Sequence, residues 1–191
     1  MQVNILWTGR EYYSLENCLM TKNHAGSEIS SVIIGMYNKE IYRVEYFIKT
    51  NEIWETLFFE LKIQLYNNKN VFSYKSDGKG NWTLLEKPAN EFNGCTDIDI
   101  PLTPFTNTLP INRLNLNINE SRVIKVIYID VLNSEIKPVQ QKYSRMTEAK
   151  YKFENVPNDF EAVITVDESG FVVDYHELFE RTIKCESEYK K

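Results

Sequence analysis

A period of two runs through this chain. Ile41–Lys49 reads IYRVEYFIK, with Tyr42, Val44, Tyr46 and Ile48 on one face, Arg43, Glu45 and Lys49 on the other, and Phe47 the exception. Successive side chains of a strand point to opposite faces, so the pattern predicts a half-buried strand. Ile53–Tyr66 continues it: Ile53, Leu57, Phe59, Leu61, Ile63 and Leu65 share a face broken only by Glu55, which predicts a second, long strand. Ser30–Met36, closed by the turn pair Tyr37-Asn38, is another strand, as are Tyr151–Phe153, Ala162–Val166 and Phe171–Tyr175. Val123–Val131, rich in β-branched residues, is expected at the centre of the sheet. Asp77-Gly78, between Asn70–Lys75 and Asn81–Leu85, and the run Asp167–Gly170 read as hairpins. One helix is expected at Thr106–Leu114. Thr106, Asn107 and Thr108 are N-cap types, Pro110 suits a first turn, and Leu109, Ile111 and Leu114 give a buried side. His176–Arg181 reads as one more helical turn. No linker or repeat divides the chain, so one domain over residues 1–191, mainly antiparallel β, is the expectation.

Composition removes several functions. The net charge is −5 with no basic stripe, which disfavours nucleic acid; the pair Lys190-Lys191 reads as solubilising. Cys18, Cys95 and Cys185 are odd in number and widely spaced, and His24 and His176 are isolated. Neither a disulfide framework nor a metal site is expected from them. GxSxG, Walker A and GxGxxG are all missing, and no cofactor is expected. The start, MQVNILWTGREYY, has no basic n-region or apolar h-region, and no run approaches the roughly 20 apolar residues of a spanning helix. A cytoplasmic protein with reduced thiols, without an integral membrane segment, is expected.

The densest chemistry lies between Cys95 and Leu114, CTDIDIPLTPFTNTLPINRL. Asp97 and Asp99 alternate with Ile98 and Ile100, so a strand would place both carboxylates on one face, their Cα atoms about 6.5 to 7 Å apart. Two like charges at that range raise each other's pKa when partly enclosed. Such a pair accepts hydrogen bonds from sugar hydroxyls, holds a hard cation or supplies acid/base groups; the plain alternative is that both face water. Glycosidase chemistry needs acids flanking the bond, and strand neighbours approach it from one side. A further acid such as Glu16, Glu45 or Asp174 would be required. Arg113 is placed to pair with Asp97 or Asp99 if the helix packs on that strand, with a structural salt bridge the ordinary outcome. Trp7, Trp54 and Trp82 suit a sheet core or a lipid or sugar cavity.

Asp97-x-Asp99, then Thr103-Pro104-Phe105-Thr106-Asn107-Thr108-Leu109-Pro110-Ile111, then Arg113-Leu114, resembles the signature of the bacterial family called putative glycolipid-binding, formerly a domain of unknown function. Trp7, Trp54 and Asp77–Trp82 look like its N-terminal landmarks. Gln141, Tyr143, Phe160, Asp167, Gly170, Asp174 and Tyr175 look like its C-terminal ones. Two positions depart: Asn112 stands where a second arginine is expected, and Leu57 and Phe58 stand where one is expected after Trp54. The resemblance implies a large curved antiparallel sheet, half-barrel-like, wrapped around a single short helix and assembled as a homodimer. It also implies an acidic pocket holding Asp97 and Asp99, with Glu16. With Arg113 and Trp54, these are the candidate ligand-binding residues. The expected partner is a small amphipathic ligand, a glycolipid or its metabolite. The alternatives are an enzyme of carbohydrate or lipid metabolism using the same acids, or a structural or regulatory dimer without a small ligand, with a cavity filled by side chains and a shallow, solvated Asp97/Asp99 face.

Overall fold

Alternating burial builds most of the computed structural model, which describes residues 1–65 and 68–187. Tyr66, the expected end of the second long strand, and the pair Lys190-Lys191 lie outside the described residues. Among the described residues the first and last strands meet at the middle of one 15-stranded sheet, where β1 (Gln2–Gly9) pairs antiparallel with β15 (Phe179–Ser187). From β1 the sheet steps outward through β2 (Ser14–Asn23), β3 (Gly26–Tyr37), β4 (Glu40–Thr50) and β5 (Thr56–Leu65). β6 (Asn68–Ser76), β7 (Trp82–Leu84) and β8 (Lys87–Pro88) finish that side. From β15 it steps the other way through β14 (Val172–Tyr175), β13 (Glu161–Val166) and β12 (Lys150–Val156). β11 (Glu135–Arg145), β10 (Ser121–Asp130) and the three-residue β9 (Asp97–Asp99) complete it. Among the described residues every ladder is antiparallel except β9 on β10, which sets Asp97 beside Val126 and Asp99 beside Tyr128. Among the described residues no ladder joins β8 to β9, so the sheet stays open and is not a barrel.

The sheet encloses α1 (Phe105–Leu114), whose first seven residues, Phe105 to Ile111, are all buried. Phe105 and Leu109 join a core with Trp7, Ile29, Val44 and Phe59. Ile111 joins a second core with Ile164, Val172 and Phe179. A ten-residue helix is marginal alone, and burial on both sides holds this one. The helix is the only α-helix among the described residues, and none is long and apolar enough to cross a membrane.

Several local expectations change. α1 starts at Phe105 behind Pro104, and the Phe105 amide donates to Thr103 Oγ1 at 3.0 Å, so the three expected cap residues lie inside the helix. Pro110 is its sixth residue and not in the first turn. Having no N–H, it leaves the Thr106 carbonyl without a helical donor. The helix ends at Asn115 in the left-handed region, φ 42°. The second long strand begins at Thr56, because the Asn51 side chain accepts the Ile53 and Glu55 amides and turns the chain, leaving Trp54 at φ 67°. The segment from His176 is a tight turn into β15, not a helical turn: Glu177 has φ 63° and the Leu178 amide donates to the Tyr175 carbonyl. β10 is next to the sheet edge and not central, covered on that side by β9 alone.

Candidate functional site

Asp97 and Asp99 leave β9 in one direction, toward α1, and meet different fates. Asp97 is wholly buried and receives Arg113 through Nε at 3.1 Å and Nη2 at 2.6 Å, with Thr96 Oγ1 donating at 2.9 Å. A bidentate guanidinium matches a carboxylate in charge and in shape. Asp99 has no such partner. Gln141 Nε2 donates to it at 2.6 Å from β11, and Thr106 Oγ1 at 3.2 Å from α1. Burial pushes the Asp99 carboxyl above its ordinary range, and the Gln141 and Thr106 hydrogen bonds oppose the rise. The expected mutual repulsion of the two acids is therefore not the cause, and neither side chain lies on a solvated outer face.

Asp99 lines a cavity of about 280 Å³. Its walls differ in character. One is an arc of rings running Tyr12, Phe179, Tyr175, Phe153, Phe160, with successive centroids 6.3, 6.3, 6.3 and 6.0 Å apart. Around Asp99 the lining is polar, with Thr103, Asn107 and Tyr128. Asn107 Oδ1 accepts the Tyr143 hydroxyl at 2.8 Å, which fixes its amide. The phenols of Tyr12, Tyr128 and Tyr175 have no protein hydrogen-bond partner among the described residues. Burial is the main cause that raises the Tyr12 phenol to about 12 and Tyr175 well above the ordinary range, with the Asp99 charge adding to both.

Glu16 sits in a cluster of its own. Oε1 accepts the hydroxyls of Tyr46 at 2.6 Å, Ser31 at 2.7 Å and Thr103 at 2.9 Å, while Oε2 is buried without a partner among the described residues. Burial lifts this carboxyl to about 7 against those three hydrogen bonds. Thr103 connects the cluster to the cavity, which it also lines. Glu16, Asp97, Arg113 and Trp54 do not line the cavity. Trp54 stands at the turn before β5, with Lys22 Nζ 5.4 Å from its ring centre. Asn112, where an arginine was expected, donates to the Thr108 and Ser169 carbonyls at 3.1 and 3.2 Å and ties α1 to the β13–β14 hairpin.

Of the candidate residues, the structure joins Asp97 to Arg113, sets Asp99 on the cavity and keeps Glu16 apart. The cavity owes its aromatic wall to residues that periodicity treats as ordinary core. Phe160, Tyr175 and Gln141 carried a signal, as landmarks of the resemblance; Tyr12, Tyr128, Phe153 and Phe179 carried none.

The model of a family described as "Putative glycolipid-binding" matches residues 4–181. The crystal structure of a DUF1089 family protein from Pseudomonas aeruginosa is similar, with a TM-score of 0.80 and 28% identity over 87% of this chain and 91% of that one. No curated protein shows a significant match.

Proposed function

Because this chain belongs to the "Putative glycolipid-binding" family, we propose that it binds one small amphipathic, sugar-bearing ligand in the cavity beside Asp99. The observation that carries this reading is the two-sided lining, an aromatic arc on one side and Asp99, Asn107 and the unpartnered Tyr128 phenol on the other, with the free phenols of Tyr12 and Tyr175 on the arc itself. Rings stack on the apolar face of a sugar or hold a short chain, and the polar side takes its hydroxyls. At about 280 Å³ the cavity falls at the small end of ligand pockets, which run from roughly 300 Å³, so it suits a headgroup or one short chain rather than a whole diacyl lipid. Paired-acid catalysis is the weaker reading, since Asp97 is occupied by Arg113. A purely structural role is weaker too, because Asp97 is enclosed and the cavity is not filled. Residues 1–191 are read as one domain. A homodimer fits the outer face of β2 and β3, where Leu15, Ile34 and Met36 are 51%, 50% and 43% exposed. The cytosol suits Cys18, Cys95 and Cys185, all free thiols.

Native mass spectrometry of protein purified from its own cells, followed by denaturing lipid and sugar analysis, tests the reading. A glycolipid or sugar adduct that is lost in Phe179→Ala supports it. An adduct-free protein that also binds no alkyl glycoside at millimolar concentration would sink it.

A further inference from the structure

Two aspartates of equal chemistry, two residues apart, are treated unequally. Asp97 is neutralised from within by Arg113 at 2.6 Å. Asp99 receives only the neutral donors Gln141 and Thr106. It faces the cavity, and among the described residues no lysine, arginine or histidine lines that cavity. The second charged group there, exposed Glu11, is also an acid. The rest of the wall is uncharged and includes the ring arc of Tyr12, Phe179, Tyr175, Phe153 and Phe160. A partly buried carboxylate without a counter-ion is costly, and a positive charge supplied by a ligand removes that cost. Aromatic faces add attraction for the same charge, because the ring quadrupole presents its negative face to a cation. A ligand carboxylate or phosphate would be repelled by Asp99 and Glu11, with no cation in the lining to offset the repulsion.

We propose that the cavity selects a ligand carrying a protonated amine next to its hydroxyls, an amino sugar with a free amine, which supplies the counter-ion that Asp99 lacks. This deepens the sugar-bearing reading above and rests on it. The amine would sit between Asp99 and the rings, and the hydroxyls would meet Asn107 and the free phenols of Tyr128 and Tyr175. An N-acetylated sugar loses the charge and adds bulk in a small cavity, so it is rejected on both grounds.

Isothermal titration of the full chain at pH 7 with three probes tests this: octyl glucoside, its 2-amino-2-deoxy analogue and the N-acetylated form of that amine. The free amine is expected to bind about tenfold tighter or more than the neutral glucoside, as a charge-assisted bond does over a neutral one. Asp99→Asn should abolish the difference, so that the amine and the neutral glucoside bind that variant with affinities within about twofold of each other. Equal affinity for amine and neutral probe, or tightest binding of the N-acetyl form, overturns the inference and leaves the amphiphile reading standing. No binding of any probe overturns both. Should Asp99→Asn fail to fold, the wild-type protein still decides through the Gln141 side-chain amide, which donates to Asp99. In its NMR spectrum that amide must shift further with the amine than with the neutral glucoside, and an equal or smaller shift overturns the inference.

Discussion

Arg113 grips Asp97 through Nε and Nη2 at 3.1 and 2.6 Å, joining the last turn of α1 to the edge strand β9 across sixteen residues of chain. The Asp97 side chain is fully enclosed and that of Arg113 is 16% exposed, so the pair is an interior one. Removing one partner leaves a charge that water cannot reach. Arg113→Ala is expected to cost about 3 to 5 kcal/mol in urea unfolding. The double change Asp97→Leu with Arg113→Met should recover most of that loss. A loss below about 1 kcal/mol for the single change would mean that the pair behaves as a surface bridge.

Glu16 makes stability depend on pH. Its folded pKa, about 7, lies above the ordinary 4.5, so the folded state holds its proton where the unfolded state has lost it. The resulting stability is complete below pH about 4.5 and is lost as pH rises through about 7. Its size is on the order of 3 kcal/mol, from about 1.4 kcal/mol per pKa unit. Glu16→Gln, which stays neutral, should match the wild type near pH 4.5 and exceed it at pH 8. Denaturant titrations at both pH values check this. A constant difference between the two proteins would show that Glu16 does not titrate in this window.

Gly170 closes the β13–β14 hairpin at φ 77°, and a Cβ there would stand 2.5 Å from Asn112 Nδ2. Gly170→Ala is expected to lower stability by about 1 to 3 kcal/mol, from the left-handed backbone and the clash together. Asn112→Ala in the same chain should return only the clash part, so the two changes will not add. Strict additivity in thermal unfolding would place the whole effect in the backbone.

Tyr128 offers the cavity a phenol with no partner among the described residues. Tyr128→Phe should weaken octyl glucoside binding about five- to tenfold, the worth of one hydrogen bond of about 1 kcal/mol or slightly more. Stability should shift by less than about 0.5 kcal/mol. Titration calorimetry paired with thermal unfolding separates the two, and unchanged affinity would remove Tyr128 from the ligand's contacts.

Much of the sheet was legible because its evidence is local. Tyr42, Val44, Tyr46 and Ile48 are all buried, on the face their spacing assigns. The Asp77-Gly78 and Asp167–Gly170 turns join the antiparallel pairs β6–β7 and β13–β14. Trp54 misled because one side chain, Asn51, redirects the backbone where the apolar period runs on. The helical reading from His176 failed on Glu177, whose positive φ no periodicity announces. The cavity was the least legible part, since its rings come from β10, β12, β14, β15 and the β1–β2 and β12–β13 turns.

The strands, hairpins and helix that were read from the order of residues followed from alternation and turn chemistry, which act over a few residues; β1, β2 and β11 gave no such reading, and the start of β15 was read as helical. The inward or outward sense of a strand did not always follow. In β2 the acid Glu16 is 2% exposed and Leu15 is 51% exposed, the reverse of their hydropathies. That sense was settled by partners far along the chain: Tyr46, Ser31 and Thr103 supply the hydroxyls that make a buried carboxyl tolerable. The division between Asp97 and Asp99 has the same origin. Alternation placed both on one face, and Arg113 and Gln141, brought in from α1 and β11, made one a closed ion pair and left the other open to a cavity. Burial and charge balance are sums over everything that packs nearby, and the chain assembles those neighbours only when the sheet has curled around its helix.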